Sequence, residues 1–441
     1  MAINISYLEN EIIDQYLYDE NQTRPWIIGF SGGKDSTMLL QLVWNALRKV
    51  DPILLTRKIY VVCNDTLVEN PRIVRFISKT LKKVQEAANL QDLPLVVEET
   101  LPKLDDSFWV RLIGLGYPAP SKFYRWCTER LKINPTTRLI QERIGESGEA
   151  IILLGTRSDE SSARSASIAK HEQKGKRLRK HVLPNAWVFA PIKDIKTHEL
   201  WQYLNQVPPP WGGNHKELVT LYRNANSGDC PLVIDDTTPS CGNSRFGCWV
   251  CTVVSKDKSM EGLIDNGEEW MLPLLEIRNF LIHTRDNPER YRERKRRDGK
   301  IHEKFWGPYK FETRVEILRK ILKAQKEIQN SEGIELITHQ EMVLIQYHWF
   351  RDGYFKERVT DIFNQIYNKH INLSKKERKV KEETNLLKEI CVKEPRDVDL
   401  IQDLLALQRT KTLLIRKRGL QADIDKRIEQ EIAKRKQLVL P

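Results

Sequence analysis

The stretch WIIGFSGGKDSTMLLQLVWNAL, residues 26–47, carries the first strong structural signal in this chain of 441 residues. WIIGF (26–30) is an apolar run with the length of a buried strand. STMLLQLVWNAL (36–47) places apolar residues at 38, 39, 42, 43, 46 and 47, which is the spacing of one helix face. Gly32 and Gly33 therefore lie at a strand-to-helix turn, where backbone N–H groups and the positive end of a helix can hold an anion.

Further apolar, β-branched runs alternate with helical segments up to about residue 205. They are KIYVVCND (58–65), LPLVVEE (93–99), AIILLGT (150–156) and WVFAPI (187–192). Because these runs lack alternation with polar residues, they predict a parallel sheet covered by helices on both faces. One helix is expected to start at Asn70-Pro71, with proline at its first position. Thr197 is a plausible N-cap for another.

The hydrophobic periodicity and composition of the sequence change at three points, which predicts four segments. Residues 1–205 form the α/β domain. Residues 206–260 hold four cysteines and show little periodicity, so a bound group is needed to order them. Residues 261–370 are predicted to be helical. Residues 371–441 contain no aromatic residue and carry 18 basic and 12 acidic residues, which is typical of a charged helical or partly disordered tail.

Charge and hydropathy restrict the possible partners. The net charge is +12, which favours polyanions and nucleic acid first, although a basic protein without such a partner has the same composition. Residues 164–180 and 281–300 are the most basic clusters, and either could be only a solvated face. No apolar run is long enough for a membrane helix, and the acidic N-terminus does not resemble a signal peptide, so we expect a cytoplasmic protein without membrane contact.

Four of the seven cysteines are grouped as C-x10-C-x6-C-x2-C: Cys230, Cys241, Cys248 and Cys251. In a reducing cytosol such a group indicates a metal site rather than disulfides. Zinc and an iron–sulfur cluster both accept four thiolates. Since only one C-x2-C pair is present, the pattern favours a [4Fe–4S] cluster over zinc.

The glycine turn has a chemical interpretation of its own. Gly32 and Gly33 let the backbone approach a phosphate, and the Ser31 and Ser36 hydroxyls add donors. Lys34 supplies a positive charge, and Asp35 can bind Mg²⁺. The loop is not a Walker motif, which needs four residues between its glycine and its Gly-Lys pair. It resembles the PP-loop, SGGxDS, of the ATP pyrophosphatases.

Other segments are similar to the PAPS-reductase-like branch of that superfamily, which has an adenine nucleotide alpha hydrolase-like fold. VVCNDTLVENPR (61–72) resembles the acidic end of the second strand, with Asp65 near the adenosine. LLGTRSDESSARS (153–165) resembles a Gly-x-Arg segment, in which Gly155 belongs to the nucleotide site and Arg157 and Arg164 neutralise phosphates. YRWCTERLKINP (124–135) resembles the segment with a Cys-Thr and a downstream lysine, here Lys132. Arg125, Arg130 and Lys132 would favour a reactive Cys127 thiolate, although a lone cysteine is often structural.

Together these motifs resemble the DNA phosphorothioation sulfurtransferases over roughly residues 20–370. The resemblance implies ATP and Mg²⁺ as ligands, a [4Fe–4S] cluster on the four cysteines, and catalytic roles for Lys34, Asp35, Arg157 and Cys127. It implies release of pyrophosphate from ATP and replacement of a non-bridging oxygen of DNA by sulfur, a DNA modification used in restriction. The implied partners are DNA, a cysteine desulfurase and the other subunits of the modification complex.

Three alternatives remain open at this point. A PAPS or APS reductase relies on a nucleophilic cysteine near its C-terminus, whereas KEICVKEP around Cys391 does not resemble that tail. A tRNA thiolase of the same superfamily would also use a basic surface. A non-catalytic DNA-binding subunit would not be expected to retain an intact SGGKDS.

Overall fold

A computed structural model describes residues 4–172, 175–225 and 247–369, together with a few isolated positions beyond 385. Its centre is a six-stranded sheet in the order β3-β2-β1-β4-β6-β5. The strands are β1 (Trp26–Gly29), β2 (Ile59–Asn64), β3 (Leu95–Thr100), β4 (Ala150–Leu153), β5 (Arg179–Lys180) and β6 (Ala186–Phe189). All neighbours pair in parallel except β5 and β6, which are antiparallel. The predicted parallel α/β fold is therefore confirmed.

Thirteen α-helices are present in the described residues. They are α1 (Ile5–Leu17), α2 (Lys34–Leu47), α3 (Pro71–Leu90), α4 (Asn134–Ser147), α5 (Ser162–His171), α6 (Thr197–Gln206), α7 (Lys216–Ala225), α8 (Lys258–Asp265), α9 (Leu272–Asp286), α10 (Pro288–Tyr291), α11 (Phe311–Glu332), α12 (His339–Arg351) and α13 (Val359–Tyr367). The Asn70 side chain caps α3 by accepting from the Arg72 N–H at 3.0 Å, as the sequence predicts. Thr197 is instead the first residue of α6, and Lys196 is the N-cap.

Both faces of the sheet are buried. Trp26 and Ile28 of β1 belong to one core, which also contains the apolar stripe of α2, including Leu39 and Val43. Ile27 points to the other face and packs in a smaller core. Because successive strand residues alternate in direction, a strand that is buried on both sides reads as an uninterrupted apolar run. This explains why the sequence located the parallel strands correctly but not β5, whose Arg179 and Lys180 carry no apolar signal.

A buried ion-pair network lies where the chain enters β1. Both oxygens of Asp19 accept from Arg24, and one also accepts from Arg57 Nη1 at 2.9 Å. The side chains of all three are at most 5 % exposed. Burial alone would raise the pKa of Asp19, but the hydrogen bonds from the two arginines outweigh it and the pKa is lowered.

Asp19→Asn should therefore destabilise the protein by about 3–5 kcal/mol at neutral pH, because it removes the carboxylate partner of the buried Arg57 and leaves the buried Arg24 with only Glu149, at 3.1 Å. The pKa of Asp19 is lower in the folded protein than in the unfolded chain. The stability that the Asp19 carboxylate contributes is therefore complete above the unfolded pKa of about 3.9, and it is lost as the pH falls through the folded-state pKa. Urea unfolding at several pH values measures the difference. The control is Glu86→Gln, which removes an exposed pair with Lys82 at 3.9 Å and should change stability by less than about 1 kcal/mol. Equal effects of the two substitutions on stability would contradict the role of Asp19 as the buried partner of the two arginines.

The chain forms two compact units. The first contains Met1–Phe108 and Pro120–Ile282, and the second contains Trp109–Ala119 and His283–Pro441. In the second unit the Trp109 indole donates to the Leu336 carbonyl at 2.8 Å, and the Trp349 indole donates to the Ile113 carbonyl at 2.9 Å. The short segment 109–119 belongs to the same unit as helices that follow it by some 200 residues, and the predicted domain limits at 205, 260 and 370 stay predictions.

Most of the predicted tail, residues 371–441, lies outside the described residues. None of the helices in the described ranges combines the length and apolar character required to cross a bilayer.

Candidate functional site

The SGGKDS segment forms a tight loop between β1 and α2, as the sequence predicts. Gly32 has φ +69°, and a Cβ there would lie 2.4 Å from Cγ1 of Ile77. Both the backbone conformation and the lack of space therefore require glycine. The Ser36 hydroxyl donates to the Gly33 carbonyl at 3.0 Å and accepts from the Ser31 N–H at 3.2 Å, which fixes the shape of the loop.

Asp35 is the centre of an ion-pair network at the start of α2. Its Oδ1 accepts from Arg157 Nε at 2.5 Å, and its Oδ2 accepts from Lys34 Nζ at 3.1 Å. Arg157 is fully buried, and Nη1 donates to the Ile195 carbonyl at 2.9 Å and to Thr197 Oγ1 at 3.3 Å. In this arrangement Arg157 holds the Asp35 carboxylate in place. Its predicted contact with phosphate stays a prediction.

These residues line a cavity of about 250 Å³ at the carboxyl edge of the sheet. Of the predicted site residues, the lining contains Ser31, Gly32, Gly33, Lys34, Asp35, Arg157 and Arg164. Arg164 is exposed and its Nε lies 3.2 Å from Glu160 Oε2. Ser36, Asp65 and Gly155 are not among the described residues that form the wall. Asp65 Oδ1 accepts from the Leu67 N–H at 2.8 Å, so in the structure this carboxylate shapes the turn after β2.

Helix α7 closes the cavity, and sequence reasoning missed it. Tyr222 is buried, and its hydroxyl accepts from the Lys34 N–H at 3.3 Å. Lys34 Nζ lies 5.3 Å from the centre of the Tyr222 ring, within the range of a cation–π contact. The apolar residues at 218, 219, 221 and 222 were the available helical signal. The pKa of Tyr222 is raised by burial, so the phenol stays protonated.

Gly155 supports the site through close packing. A Cβ on Gly155 would lie 2.9 Å from the Asp35 carbonyl oxygen and 3.0 Å from its carbon. The segment after β4 therefore touches the backbone of the first turn of α2. Any side chain here would push the two apart and displace Asp35 from Arg157.

Gly155→Ala is accordingly expected to lower the free energy of unfolding by about 1–3 kcal/mol, the usual cost of overpacking, and to weaken ATP binding in calorimetry. The matched control is Gly145→Ala within α4, where a Cβ meets no atom within 4 Å. That substitution should stabilise the helix by roughly 0.5–1 kcal/mol and leave ATP binding unchanged. A stable Gly155→Ala protein with unaltered ATP affinity would argue against the close contact.

The second candidate site contains Cys248 and Cys251, the two members of the four-cysteine group that the structure describes. Cys248 pairs in a short antiparallel bridge with Glu69, just after β2, and its thiol lies 3.5 Å from Thr66 Oγ1. The Cys251 N–H donates to the Cys248 carbonyl at 3.0 Å, which turns the C-x2-C segment back on itself. Burial and the Glu69 charge raise the pKa of Cys248 to about 12. Cys230 and Cys241 lie outside the described residues.

Cys127 is close enough to this segment for the charge of Cys251 to act on it. Burial, and after it this charge, raises the pKa of Cys127. Of the neighbouring cations, Arg130 Nη1 pairs with Asp106 at 2.6 Å and Lys132 Nζ pairs with Glu69 at 3.0 Å. Burial opposes it, but the charges of Cys248, Glu69 and Cys127 raise the pKa of Lys132, so this lysine lies within electrostatic reach of both thiols. The catalytic role of Cys127 stays a prediction. Within the described ranges, no three metal-ligating side chains come together.

Arg278 fixes the backbone that follows the C-x2-C pair, and no sequence signal identified it. Its side chain is buried, with Nε donating to the Cys251 carbonyl at 3.0 Å and Nη2 to the Val254 carbonyl at 2.7 Å. The Thr252 hydroxyl donates to the Pro120 carbonyl at 2.6 Å. The two described thiols are thus presented on a rigid segment, and a soft metal such as iron or zinc suits such donors.

The fold and the loop define a nucleotide-binding α/β protein of the PP-loop type. Residues 25–254 match the phosphoadenosine phosphosulfate reductase domain, just over half of the chain, and the chain belongs to that family. An uncharacterized protein of Methanocaldococcus jannaschii is 28% identical over 233 residues. This match covers 53% of the present chain and only 37% of the relative.

Two solved structures show weak overall similarity. The phosphoadenylyl-sulfate reductase from Candida auris is 13% identical, with a TM-score of 0.28 over 48% of this chain and 92% of that one. The U34-tRNA thiolase from Methanococcus maripaludis, solved with its [4Fe–4S] cluster, is 13% identical, with a TM-score of 0.30 over 75% of this chain and 89% of that one. At these values neither similarity carries a conclusion about activity.

Proposed function

We propose that this protein is an ATP-dependent sulfurtransferase that replaces a non-bridging oxygen of the DNA backbone by sulfur. The observation that carries the proposal is the network of Lys34, Asp35 and Arg157 on the PP-loop cavity, in a chain of the PAPS reductase family. The resemblance of the PP-loop, of residues 155–164 and of the four-cysteine segment 230–251 to the phosphorothioation enzymes supports this choice within the family.

The proposed reaction begins with activation of the phosphodiester. A phosphate oxygen is a poor leaving group, so a non-bridging oxygen of DNA attacks the α-phosphorus of ATP and pyrophosphate leaves. The N–H groups at the start of α2 and the Lys34 ammonium stabilise the charge that develops on the departing phosphates. Asp35 is the proposed Mg²⁺ ligand, and Arg157 keeps its carboxylate directed at the cavity.

In the second step a sulfur nucleophile at the oxidation level of sulfide attacks the DNA phosphorus. The P–O bond to the activated oxygen breaks, and AMP leaves with that oxygen. The cysteine site is the proposed position of a [4Fe–4S] cluster, with zinc as the less favoured alternative. When bound, such a cluster supplies a redox-active or sulfur-binding centre, which this chain would hold through Cys248 and Cys251 together with Cys230 and Cys241.

We propose Cys127 as a further candidate ligand of that group, because its thiol is near enough to Cys251 for the charge of Cys251, after burial, to raise the pKa of Cys127. Five cysteines then compete for four positions. Iron content of Cys127→Ser and Cys230→Ser, each purified without oxygen, decides between them. The variant that lacks a ligand should lose most of its iron, whereas the other should keep it.

The proposed setting is the cytoplasm, with a cysteine desulfurase as the sulfur source and further subunits that select the DNA sequence. Mass analysis of nucleosides tests the function, using cells with and without this protein. We expect a sulfur-containing dinucleotide in the DNA that disappears with the protein. Loss of sulfur from tRNA, with DNA unchanged, would replace the proposal by a tRNA thiolase.

A further inference from the structure

A basic β-hairpin follows α10 in the second unit, and the proposed chemistry makes no use of it. Two antiparallel bridges, between Arg292 and Tyr309 and between Lys295 and Ile301, define its arms. At its tip the Arg296 N–H donates to the Lys300 carbonyl at 2.9 Å, and Gly299 takes φ +81°. We call residues 292–309 the basic hairpin.

Hydrogen bonds and close packing hold the base of the basic hairpin. Arg292 Nε donates to the Gly307 carbonyl at 2.8 Å, and its Nη2 donates to the Trp306 carbonyl at 2.6 Å. A Cβ on Gly307 would lie 2.0 Å from the Lys295 carbonyl oxygen, so the two arms touch at a position that only glycine can occupy. The Arg294 guanidinium lies 4.9 Å from the centre of the Trp306 ring. These contacts fix the shape of the hairpin, whose arms are joined by two isolated bridges rather than by continuous strands.

The basic hairpin carries more positive charge than the ion pairs of the described residues neutralise. Residues 290–304 contain eight lysines and arginines and three acids. Lys295, Lys300 and Lys304 are exposed, and their side chains form no ion pair within the described part of the chain. Phe305, next to Lys304, is 59% exposed. Cations without counterions suit a polyanionic ligand such as the phosphate backbone of a nucleic acid.

We propose that the basic hairpin binds duplex DNA, with Lys295, Lys300 and Lys304 on the phosphates. The major groove of B-form DNA admits a two-stranded ribbon, whereas the major groove of A-form RNA is too narrow for side chains to read. The shape therefore favours DNA over a folded RNA. The proposal rests on the proposed function only in taking DNA as the substrate, because phosphate binding does not require sulfur transfer.

The test compares two triple variants of the full-length protein. K295Q/K300Q/K304Q removes the three hairpin charges. K58Q/K82Q/K323Q removes the same charge from exposed lysines elsewhere. Fluorescence anisotropy with a 30-base-pair duplex gives the affinity from ~50 to ~200 mM salt. We expect the hairpin variant to bind about tenfold or more weakly, with a salt slope that falls by up to ~2.7. The control variant should stay within about twofold of wild type.

Several results would overturn the proposal. Equal losses in the two variants would mean that only net charge matters, and a larger loss for tRNA than for the duplex would make the hairpin an RNA-binding element. Unchanged binding in the hairpin variant would exclude it as a DNA contact. ATP affinity by calorimetry should be the same in all three proteins, which shows that the fold is kept. If wild type transfers no sulfur but the hairpin variant still loses DNA affinity, only the proposed function fails.

Discussion

Asp35→Asn should reduce pyrophosphate release from ATP by about 100-fold or more, comparable to the loss of one group that stabilises developing charge in a transition state. The side chain loses the negative charge that Mg²⁺ and Lys34 require, while its size is kept. Asp35→Ala should be at least as damaging. The measurement is a pyrophosphate assay with purified protein, magnesium and duplex DNA, together with whichever partner subunits wild type needs for turnover.

The structure indicates that Asp35→Asn also destabilises the fold, which the loop sequence alone did not predict. Asp35 is the carboxylate closest to the buried Arg157, whose Nη1 is 3.6 Å from Asp159, so neutralising Asp35 leaves that guanidinium with weaker compensation. A fall in activity could thus come from partial unfolding. Asp19→Asn is the matched control, because it also weakens a buried carboxylate–arginine network but lies at the opposite edge of the sheet. It should destabilise the protein while preserving turnover per folded molecule. Normal pyrophosphate release by Asp35→Asn would refute the role of this residue.

Cys248→Ser should abolish the metal site, with iron falling to background after anaerobic purification and the broad visible absorbance of a cluster disappearing. Cys248 lies on the same turn as Cys251, whose N–H donates to the Cys248 carbonyl, so the substitution removes one of the two thiols that this turn presents. Iron and acid-labile sulfide per chain are the quantities to measure.

Cys63→Ala is the control for that experiment. Cys63 is buried in β2, and burial together with the charges of Glu99 and Asp65 raises its pKa to about 12, so it is an inert core thiol. This variant should retain wild-type iron. Zinc in the wild-type protein, without iron or colour, would show that the choice of cluster was mistaken while leaving the ligands in place.

The parallel strands and the helix after the glycine loop could be predicted because their signals are local. WIIGF and the stripe from Met38 to Leu47 encode burial directly in the order of apolar residues. The loop itself was also predictable, since a positive φ at Gly32 leaves few other choices of residue. Thr197 was misplaced by one position because a helix can begin with either Lys196 or Thr197 as its cap, and side-chain contacts decide between them.

The remaining features depend on contacts between distant parts of the chain. Tyr222 contacts Lys34 across 188 residues, and Lys132 pairs with Glu69. A count of nearby charges in the sequence cannot reveal which carboxylate neutralises a given lysine. Likewise, Arg157 looks like a free phosphate ligand in GTRSDESSAR, and only burial shows that it is engaged by Asp35, Ile195 and Thr197.

Arg278 has a consequence for how the proposed metal group would be acquired. In many small metal-binding modules the peptide is unfolded until the ion arrives, so chelation and folding are a single event. Here one guanidinium already holds the carbonyls of Cys251 and Val254, and the thiol-bearing turn is shaped in advance. For the proposed cluster, chemical reconstitution should then proceed without a refolding step, and chelators should remove the metal while leaving the nucleotide-binding half intact.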